Sequence, residues 1–294
     1  MAAKEKRAPC STSAFPTLPP FPLLLATLAF CVNPMRGEWV RLVAEAASTN
    51  AFAVFHMTGG RAPPPEPFTA AAPKEAASVF ENDASVPEGL VTADAASLVY
   101  VDRGVRRRLP RRTAASAATS GRLCREVSTE RDLLHVGEIF YELLADNAGG
   151  FQYVHPVAAT PRHIVDYDMW KGCFVLKEAD GALKIGVADD LWGLGKPAGV
   201  GGPWKETAVK AGVPSDAYLM NGFDRKALVL WASACTTVTL EADVDGCGTW
   251  VAAGSYAVKA GETRTVEFPA AFSAYWVRVR ADCACTATAQ FLYR

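Results

Sequence analysis

The sequence predicts an all-β protein, in which a partial propeller-like or irregular β region is followed by a C-terminal antiparallel β-sandwich. Three observations predict this class. Short apolar runs separated by turn signals fill the middle of the chain, apolar and polar residues alternate cleanly from Ala227 onward, and one hairpin-like pattern occurs near both ends. The region of short strands indicates a sandwich or propeller architecture and not βαβ units.

The composition sets bounds on the class of protein. The chain has 294 residues, half of them apolar, so it can bury a large core in one to three domains. Its net charge of -1 provides no long-range field for nucleic acid or an anionic membrane, and no nucleic-acid partner is expected. The eight cysteines form no CxxC pair and no cysteine-histidine cluster with zinc spacing. No metal or cofactor is therefore predicted.

Residues 1–36 form a signal-like or disordered N-terminus. Lys4, Lys6 and Arg7 precede an apolar run over residues 21–32, an order typical of a secretory signal and too short for a transmembrane span. We therefore expect an exported protein, extracellular or periplasmic. A disordered start or a misplaced gene start is the alternative. In an exported protein, Cys235, Cys247, Cys283 and Cys285 can form one or two disulfides.

A β-hairpin is predicted at residues 37–57, whose sequence pattern resembles that of residues 274–294. Both segments contain Trp-Val-Arg, at Trp39 and at Trp276, then a short interruption and a closing apolar strand. We expect two antiparallel hairpins with these tryptophans in equivalent places. The arginine two residues after each tryptophan shares its face, while the intervening valines face a core.

Residues 58–121 are predicted to be a low-complexity linker rich in Ala, Pro and Arg, with a possible strand at residues 97–101. Six arginines lie between Arg103 and Arg112. They suggest either a nucleic-acid or heparin patch, or a solvated linker or edge strand. We favour the second interpretation because no aromatic residues interleave with the arginines to stack on bases.

Residues 122–205 predict a region of short strands with one possible helix at residues 128–135 and a glycine-rich loop at 187–204. The glycines and prolines of this loop exclude a helix and argue against a continuous strand. The loop also carries large and charged side chains that suit a packed, ligand-facing segment: Asp189, Asp190, Trp192, Lys196 and Trp204. We expect Lys196 to lie close to Asp189 or Asp190.

Residues 206–294 predict the β-sandwich. Val238, Leu240, Ala242 and Val244 are expected on the inner face of one strand, and the following Asp-Gly-Cys-Gly turns the chain. A second set of alternating residues lines the closing strand: Ala287, Ala289, Phe291 and Tyr293.

Candidate catalytic residues form a polar cluster between two expected strands. His155, His163, Asp166 and Asp168, with Arg162, can supply a general acid or base. Ordinary loop polarity is the alternative, because spacing alone identifies no nucleophile, base and orienting group. Asp189 and Asp190 are possible glycosidase carboxylates, but neighbouring residues on one strand point apart, and an ion pair with Lys196 explains them more simply.

Several segments resemble the C-terminal part of a group of large, exported, mostly uncharacterised bacterial proteins, in which a β-propeller-like region precedes a β-sandwich. The resemblance covers residues 124–294 and is most specific at six short motifs: Asp189-Asp-Leu-Trp, Gly195-Lys-Pro, Gly201-Gly-Pro-Trp, Pro214-Ser-Asp, Tyr218-Leu-Met and Tyr275-Trp-Val-Arg. It implies a propeller-related fold and carbohydrate-linked roles. The chain is too short before residue 187 for a full propeller, which suggests a truncated relative.

Three functions stay open from the sequence. The favoured one is a non-catalytic module that binds carbohydrate or a surface partner through Trp192 and Trp204. The second is a glycoside-cleaving enzyme, a hydrolase or lyase, and the third is an inactive truncated relative of such an enzyme. The sequence does not indicate an oligomeric state.

Overall fold

The structure, a computed structural model, describes residues 40–45, 52–57, 67–81, 91–102, 104–116, 123–128, 131–144 and 149–294; for 40–45, 52–57 and 123–128 it describes the backbone alone. The described strands are β1 (Val40–Glu45), β2 (Phe52–Met57), β3 (Val91–Ala93), β4 (Leu98–Asp102), β5 (Val105–Leu109), β6 (Leu123–Ser128), β7 (Arg131–Val136), β8 (Ile139–Leu144), β9 (His155–Ala159), β10 (Ile164–Trp170), β11 (Cys173–Glu178), β12 (Leu183–Gly186), β13 (Gly199–Val209), β14 (Ala217–Leu219), β15 (Lys226–Ala232), β16 (Thr236–Asp243), β17 (Trp250–Val258), β18 (Thr263–Glu267), β19 (Trp276–Ala281) and β20 (Cys285–Tyr293). Short 3-10 helices cover Lys74–Glu81, Gly150–Tyr153 and Ala188–Gly193. The predicted all-β class is confirmed. The signal-like segment 1–36, Trp39 and residues 58–66 lie outside the described residues.

Two sheets pack face to face in the C-terminal part of the chain. One has seven strands in the order β17-β16-β19-β14-β5-β4-β3, and the other has four in the order β13-β20-β15-β18. Their inner faces share one core, which includes Leu230 and Ala289 of the second sheet and Leu240 and Val279 of the first. This packing buries alternate residues of β15, β16 and β20, as the sequence pattern predicts.

The end of β16 departs from the predicted alternation. Val244 is 60% exposed, whereas Asp243 is buried. Val244 follows the last residue of β16 and lies in the loop to β17. The Asp243 carboxylate accepts a hydrogen bond from the Gly248 amide at 2.9 Å, which closes this loop.

The predicted hairpin at residues 274–294 is wrong. Strand β19 lies between β16 and β14 in the seven-stranded sheet, whereas β20 lies between β13 and β15 in the opposite sheet. The short interruption after Ala281 therefore crosses the core instead of turning back on itself. Strands β1 and β2, in contrast, pair antiparallel as predicted for residues 37–57.

The two valines of the C-terminal Trp-Val-Arg-Val-Arg segment are fully buried, as expected. The cation–π partner differs, because the Arg278 guanidinium lies 4.3 Å from the ring centroid of Trp250 on β17, while Arg107 lies over Trp276 at 5.4 Å. Strand β16 lies between the strands of Arg278 and Trp250, and β14 lies between those of Arg107 and Trp276. Each arginine therefore contacts a tryptophan two strands away and not one on its own strand.

The predicted linker at residues 58–121 contributes three strands to the sandwich. Strand β5 pairs in parallel with β14 and antiparallel with β4, so the arginine-rich segment is an interior strand. Arg108 is buried, with Nη1 donating to Asp94 at 2.8 Å and Nε donating to Asp216 at 3.0 Å. Two carboxylates from distant parts of the chain therefore compensate its burial. The sandwich extends well beyond residues 206–294.

The chain between β5 and β13 forms two smaller antiparallel sheets. One has the order β6-β7-β8-β9, and the other has the order β10-β11-β12 with an isolated bridge from Ala71 to Lys184 at its edge. The predicted helix at residues 128–135 is wrong, because Ser128 is the last residue of β6 and residues 131–135 belong to β7. Strand β7 is buried on both faces from Asp132 to Val136. A strand buried on both faces lacks the alternation that distinguishes it from a helix.

The glycine-rich stretch 187–204 is more regular than predicted. A 3-10 helix begins at Ala188, and β13 begins at Gly199. Glycine permits this strand, since a Cβ at Gly202 would lie 2.0 Å from the Ala289 carbonyl oxygen. The register of β13 against β20 shifts on both sides of Trp204. The glycines of β13 therefore allow this bulged strand to lie in close contact with β20.

The cysteines with described side chains are all free thiols: Cys173, Cys235, Cys247, Cys283 and Cys285. Cys283 Sγ lies 3.5 Å from the Cys235 carbonyl oxygen, between the turn after β15 and the turn after β19. Among the described residues, no helix has the length and apolar character needed to cross a membrane.

Candidate functional site

A small pocket lies between the four-stranded sheet β6-β7-β8-β9 and the 3-10 helix Ala188–Gly193. Its volume is about 80 Å³. Its lining residues come from β7, β8, β9 and the helix: Arg131, Asp132, Leu133, Glu142, Val157, Ala188, Asp189, Leu191 and Trp192. Pockets that enclose a whole ligand measure roughly 300–1,000 Å³. The pocket is smaller than that range.

The 3-10 helix sets the positions of the rim residues. The Asp190 carboxylate accepts a hydrogen bond from the Val187 amide at 3.2 Å, which holds the first turn. Leu191 is buried with Phe140 and Val157 in the core beneath the helix. Successive side chains of a 3-10 helix diverge by about a third of a turn, so anchoring Leu191 inward leaves Trp192 facing solvent, 54% exposed.

Charged groups surround the pocket. The Arg131 guanidinium donates to the Glu142 carboxylate across the β7–β8 pair. Asp132 is buried at the start of β7, and Asp189 is exposed on the helix. The described lining of the pocket therefore includes three carboxylates and one guanidinium next to an exposed indole.

His155 lies at the edge of this pocket. It pairs with Glu142 across β8 and β9, and its ring centroid is 6.5 Å from that of Trp192. Its Nδ1 is 3.3 Å from the Asn221 side-chain nitrogen. Burial lowers the pKa of His155 below 6.5, although the charge of Glu142 opposes the shift. The imidazole is therefore neutral at pH 7 and accepts a hydrogen bond more readily than it donates a second one.

The other predicted catalytic residues lie elsewhere. His163 is exposed and its Nδ1 lies 3.9 Å from the Glu138 carboxylate, at the opposite end of β8 from His155. Glu138 and Glu142 are four positions apart, which corresponds to about 13 Å along an extended strand. Asp166 and Asp168 lie on β10, where each carboxylate accepts a hydrogen bond from the next backbone amide. The structure does not bring these three residues together with His155.

Two of the predicted ligand-binding residues have structural roles. Trp204 is only 6% exposed and belongs to the sandwich core, so its ring is not a binding surface. Lys196 pairs with Asp224 at 2.9 Å, and the expected pairing with Asp189 or Asp190 is replaced by this contact. The reason is that Asp190 is already bonded to the Val187 amide and the chain between the helix and β13 carries Lys196 away toward the β14–β15 loop.

Sequence reasoning missed Arg131, Asp132, Glu142 and Asn221. The first two fell in the segment predicted as a helix, and Glu142 in an apolar run. Recognising that β8 and β9 form adjacent antiparallel strands would have placed Glu142 opposite His155. No local signal points to Asn221, which follows β14 and reaches the site only through the tertiary fold.

A metal centre finds no support in the part of the chain that the structure describes. No group of three or more His, Cys, Asp or Glu side chains there is arranged to hold an ion. Asp243 and Asp245 instead bind backbone amides of their own turn, at Gly248 and Cys247.

Comparison with known proteins does not identify a family. No protein-family model matches this chain, and no curated protein sequence matches it. One solved structure, described as "Crystal structure of PirA", aligns with 33% of this chain and 84% of its own, at 17% identity and a TM-score of 0.20. A similarity of this size supports no conclusion about fold or function.

Proposed function

We propose that this protein is a carbohydrate-binding module whose binding site is the pocket beside Trp192. The exposure of Trp192 carries the proposal. Of the six tryptophans in the described residues, it alone is exposed, and it lies on the rim of a pocket with carboxylates, a guanidinium and a histidine. An indole in water offers a flat apolar surface for a sugar ring, while the polar groups nearby can bond its hydroxyls. Export, which the basic and apolar order of the N-terminus favours, is part of the same proposal.

A second candidate function is glycoside cleavage. The observation that favours it is the presence of Asp132, Glu142 and Asp189 in one pocket, because this chemistry requires two carboxyl groups across a glycosidic bond. Binding remains the preferred function, since Glu142 is already engaged by Arg131.

Glycan-array binding of the wild-type protein and Trp192→Ala tests the proposed function. We expect the wild-type protein to bind a defined set of glycans and Trp192→Ala to lose at least about tenfold in affinity, because loss of ring stacking removes most of the contact area. Val165→Ala is the control, since it removes another exposed apolar side chain from β10 and should change nothing. Equal binding by wild type and Trp192→Ala contradicts this site.

Reducing-sugar release over a panel of polysaccharides separates the two functions. Release that is lost in Asp189→Asn or Glu142→Gln supports cleavage. Binding without release supports the module. Absence of both contradicts both functions and favours an inactive relative.

A further inference from the structure

Three cysteines lie together at one end of the sandwich. The turn between β15 and β16 carries Cys235, the turn between β19 and β20 carries Cys283, and β20 begins at Cys285. The Cys283 thiol donates a hydrogen bond to the Cys235 carbonyl oxygen, 3.5 Å from its Sγ. The thiols of Cys283 and Cys285 are also hydrogen-bonded to each other. Cys235 is exposed and the other two side chains are half-buried, so solvent reaches this group.

Hydrogen bonds on both sides of the cysteines hold the two turns together. On one side, the Ser233 amide donates to the Thr286 carbonyl oxygen at 2.8 Å, and the Thr286 amide donates to the Ser233 hydroxyl at 3.0 Å. On the other side, the Asp282 carboxylate accepts from the Thr237 amide at 2.9 Å and from the Thr236 hydroxyl at 2.6 Å. A disulfide tolerates only a narrow range of backbone separations, so two turns fixed in contact favour one.

Each of these turns connects the two sheets of the sandwich. Strands β15 and β20 belong to the four-stranded sheet, whereas β16 and β19 belong to the seven-stranded sheet. Cys235 and Cys283 are 48 positions apart in the sequence, so a bond between them closes a loop that includes β16 to β19. Closing a long loop removes much more freedom from the unfolded chain than closing a short one. A bond between Cys235 and Cys283 therefore has a large effect on stability.

The two other cysteines near these turns in sequence are less suitable partners. Pairing with Val209 fixes the backbone of Cys285 in β20. Burial, and next the neighbouring Cys283 thiol, raises the pKa of Cys285, so less of it is the thiolate that attacks a disulfide. Cys247 follows β16 whereas Cys235 precedes it, and the eight residues of this strand span about 26 Å.

We propose that Cys235 and Cys283 form a thiol–disulfide exchange site that reacts with low-molecular-weight disulfides of the glutathione class and ends as a disulfide between the two turns. The exposed Cys235 thiolate attacks one sulfur of oxidised glutathione, breaks its S–S bond and releases one reduced glutathione. The Cys283 thiolate then attacks the Cys235 sulfur of this mixed disulfide and releases the second. Two protein thiols are oxidised, one glutathione disulfide is reduced to two thiols, and the two thiol protons pass to the released glutathione. This inference does not depend on saccharide binding.

Peptide mapping of the full-length protein after equilibration with oxidised and reduced glutathione tests the proposal. Trypsin places Cys235 in the peptide 227–259 and Cys283 in the peptide 281–294. After alkylation of the remaining thiols, we expect mass spectrometry to show these two peptides cross-linked, and the cross-link to disappear on reduction. The melting temperature of the oxidised protein should lie about 5–10 °C above that of the reduced protein, because the closed loop is long.

Serine variants identify the partners. Cys235→Ser and Cys283→Ser should each abolish both the cross-link and the difference in melting temperature. Cys247→Ser and Cys285→Ser are the matched controls, because each removes the other cysteine of the same tryptic peptide. We expect both controls to keep the cross-link and the higher melting temperature of the oxidised form.

Three results would overturn the proposal. The first is a disulfide confined to the peptide 281–294, which joins Cys283 to Cys285 and closes only a short loop. The second is a cross-link that persists in Cys235→Ser or Cys283→Ser and is lost in one of the controls. The third is a wild-type protein whose two peptides stay unlinked in fully oxidised glutathione, whether as free thiols or as a lasting glutathione adduct on Cys235.

Discussion

Replacing Trp204 with alanine is expected to lower the free energy of unfolding by about 3–5 kcal/mol, the range for large aromatic side chains removed from a core. The ring is 6% exposed and packs in the core shared by the two sheets of the sandwich. A hydrogen bond to β20 fixes the Trp204 backbone, since Gln290 Nε2 donates to the Trp204 carbonyl oxygen at 2.9 Å. The chain around the cavity therefore has little freedom to collapse. Urea unfolding followed by circular dichroism measures the change.

Trp192→Ala is the matched control for this prediction. Both tryptophans lie in the same glycine-rich stretch, but the Trp192 side chain is 54% exposed. Its loss should change the free energy of unfolding by no more than about 1 kcal/mol. Similar losses for the two variants would contradict the assignment of one ring to the core and the other to the binding surface.

Acid is expected to destabilise the protein through His135. The imidazole is buried against Phe140 and Tyr167, and its Nε2 has no hydrogen-bond partner. Burial lowers the pKa of His135 from 6.5 to about 4. The unfolded chain therefore binds a proton on this side chain between these two values while the folded chain does not, and stability falls as the pH falls through that window. The whole difference corresponds to about 3 kcal/mol, because one pKa unit is about 1.4 kcal/mol.

His135→Phe tests this account, since phenylalanine preserves the ring packing and cannot be protonated. We expect the free energy of unfolding of this variant to depend less on pH between 6.5 and 4 than that of the wild-type protein. A smaller dependence should persist, because the lowered pKa of His155 acts in the same direction. His163→Phe is the control, as its side chain is 80% exposed. Identical pH profiles for wild type and His135→Phe would show that His135 is not buried in this way.

The inner faces of the sandwich strands could be predicted from the sequence, whereas their partners could not. Alternation identifies Val238, Leu240 and Ala242 as buried because a strand with one wet face repeats every two residues. The same pattern contains no information on whether β19 and β20 turn back or cross the core. The sequence did not indicate that β5 is an interior strand, because arginines are rarely buried. The carboxylates of Asp94 and Asp216, which compensate the charge of Arg108, lie in other segments of the chain.

The candidate site was predictable only in part. His155, Asp189 and Trp192 were selected from the sequence, and the structure places them around one pocket. Sequence alone could not distinguish Trp192 from Trp204, since both rings belong to a segment rich in glycine. The difference is that Trp204 lies on β13 and enters the sandwich core, whereas Trp192 lies on the 3-10 helix and is exposed. Arg131 and Glu142 lie at the pocket because β7 and β8 pair, and no local sequence motif indicates this pairing.

The indole N–H signals in a nitrogen-15 NMR spectrum test saccharide binding at Trp192 most directly. The chain has seven tryptophans, and Trp192→Phe assigns the signal of interest by its loss. On titration with a glycan that the wild-type protein binds on the array, we predict that the Trp192 signal moves progressively while those of the buried Trp204 and Trp276 stay in place. A Trp192 signal that remains fixed, with the Trp250 signal moving or with no signal moving, would contradict the account.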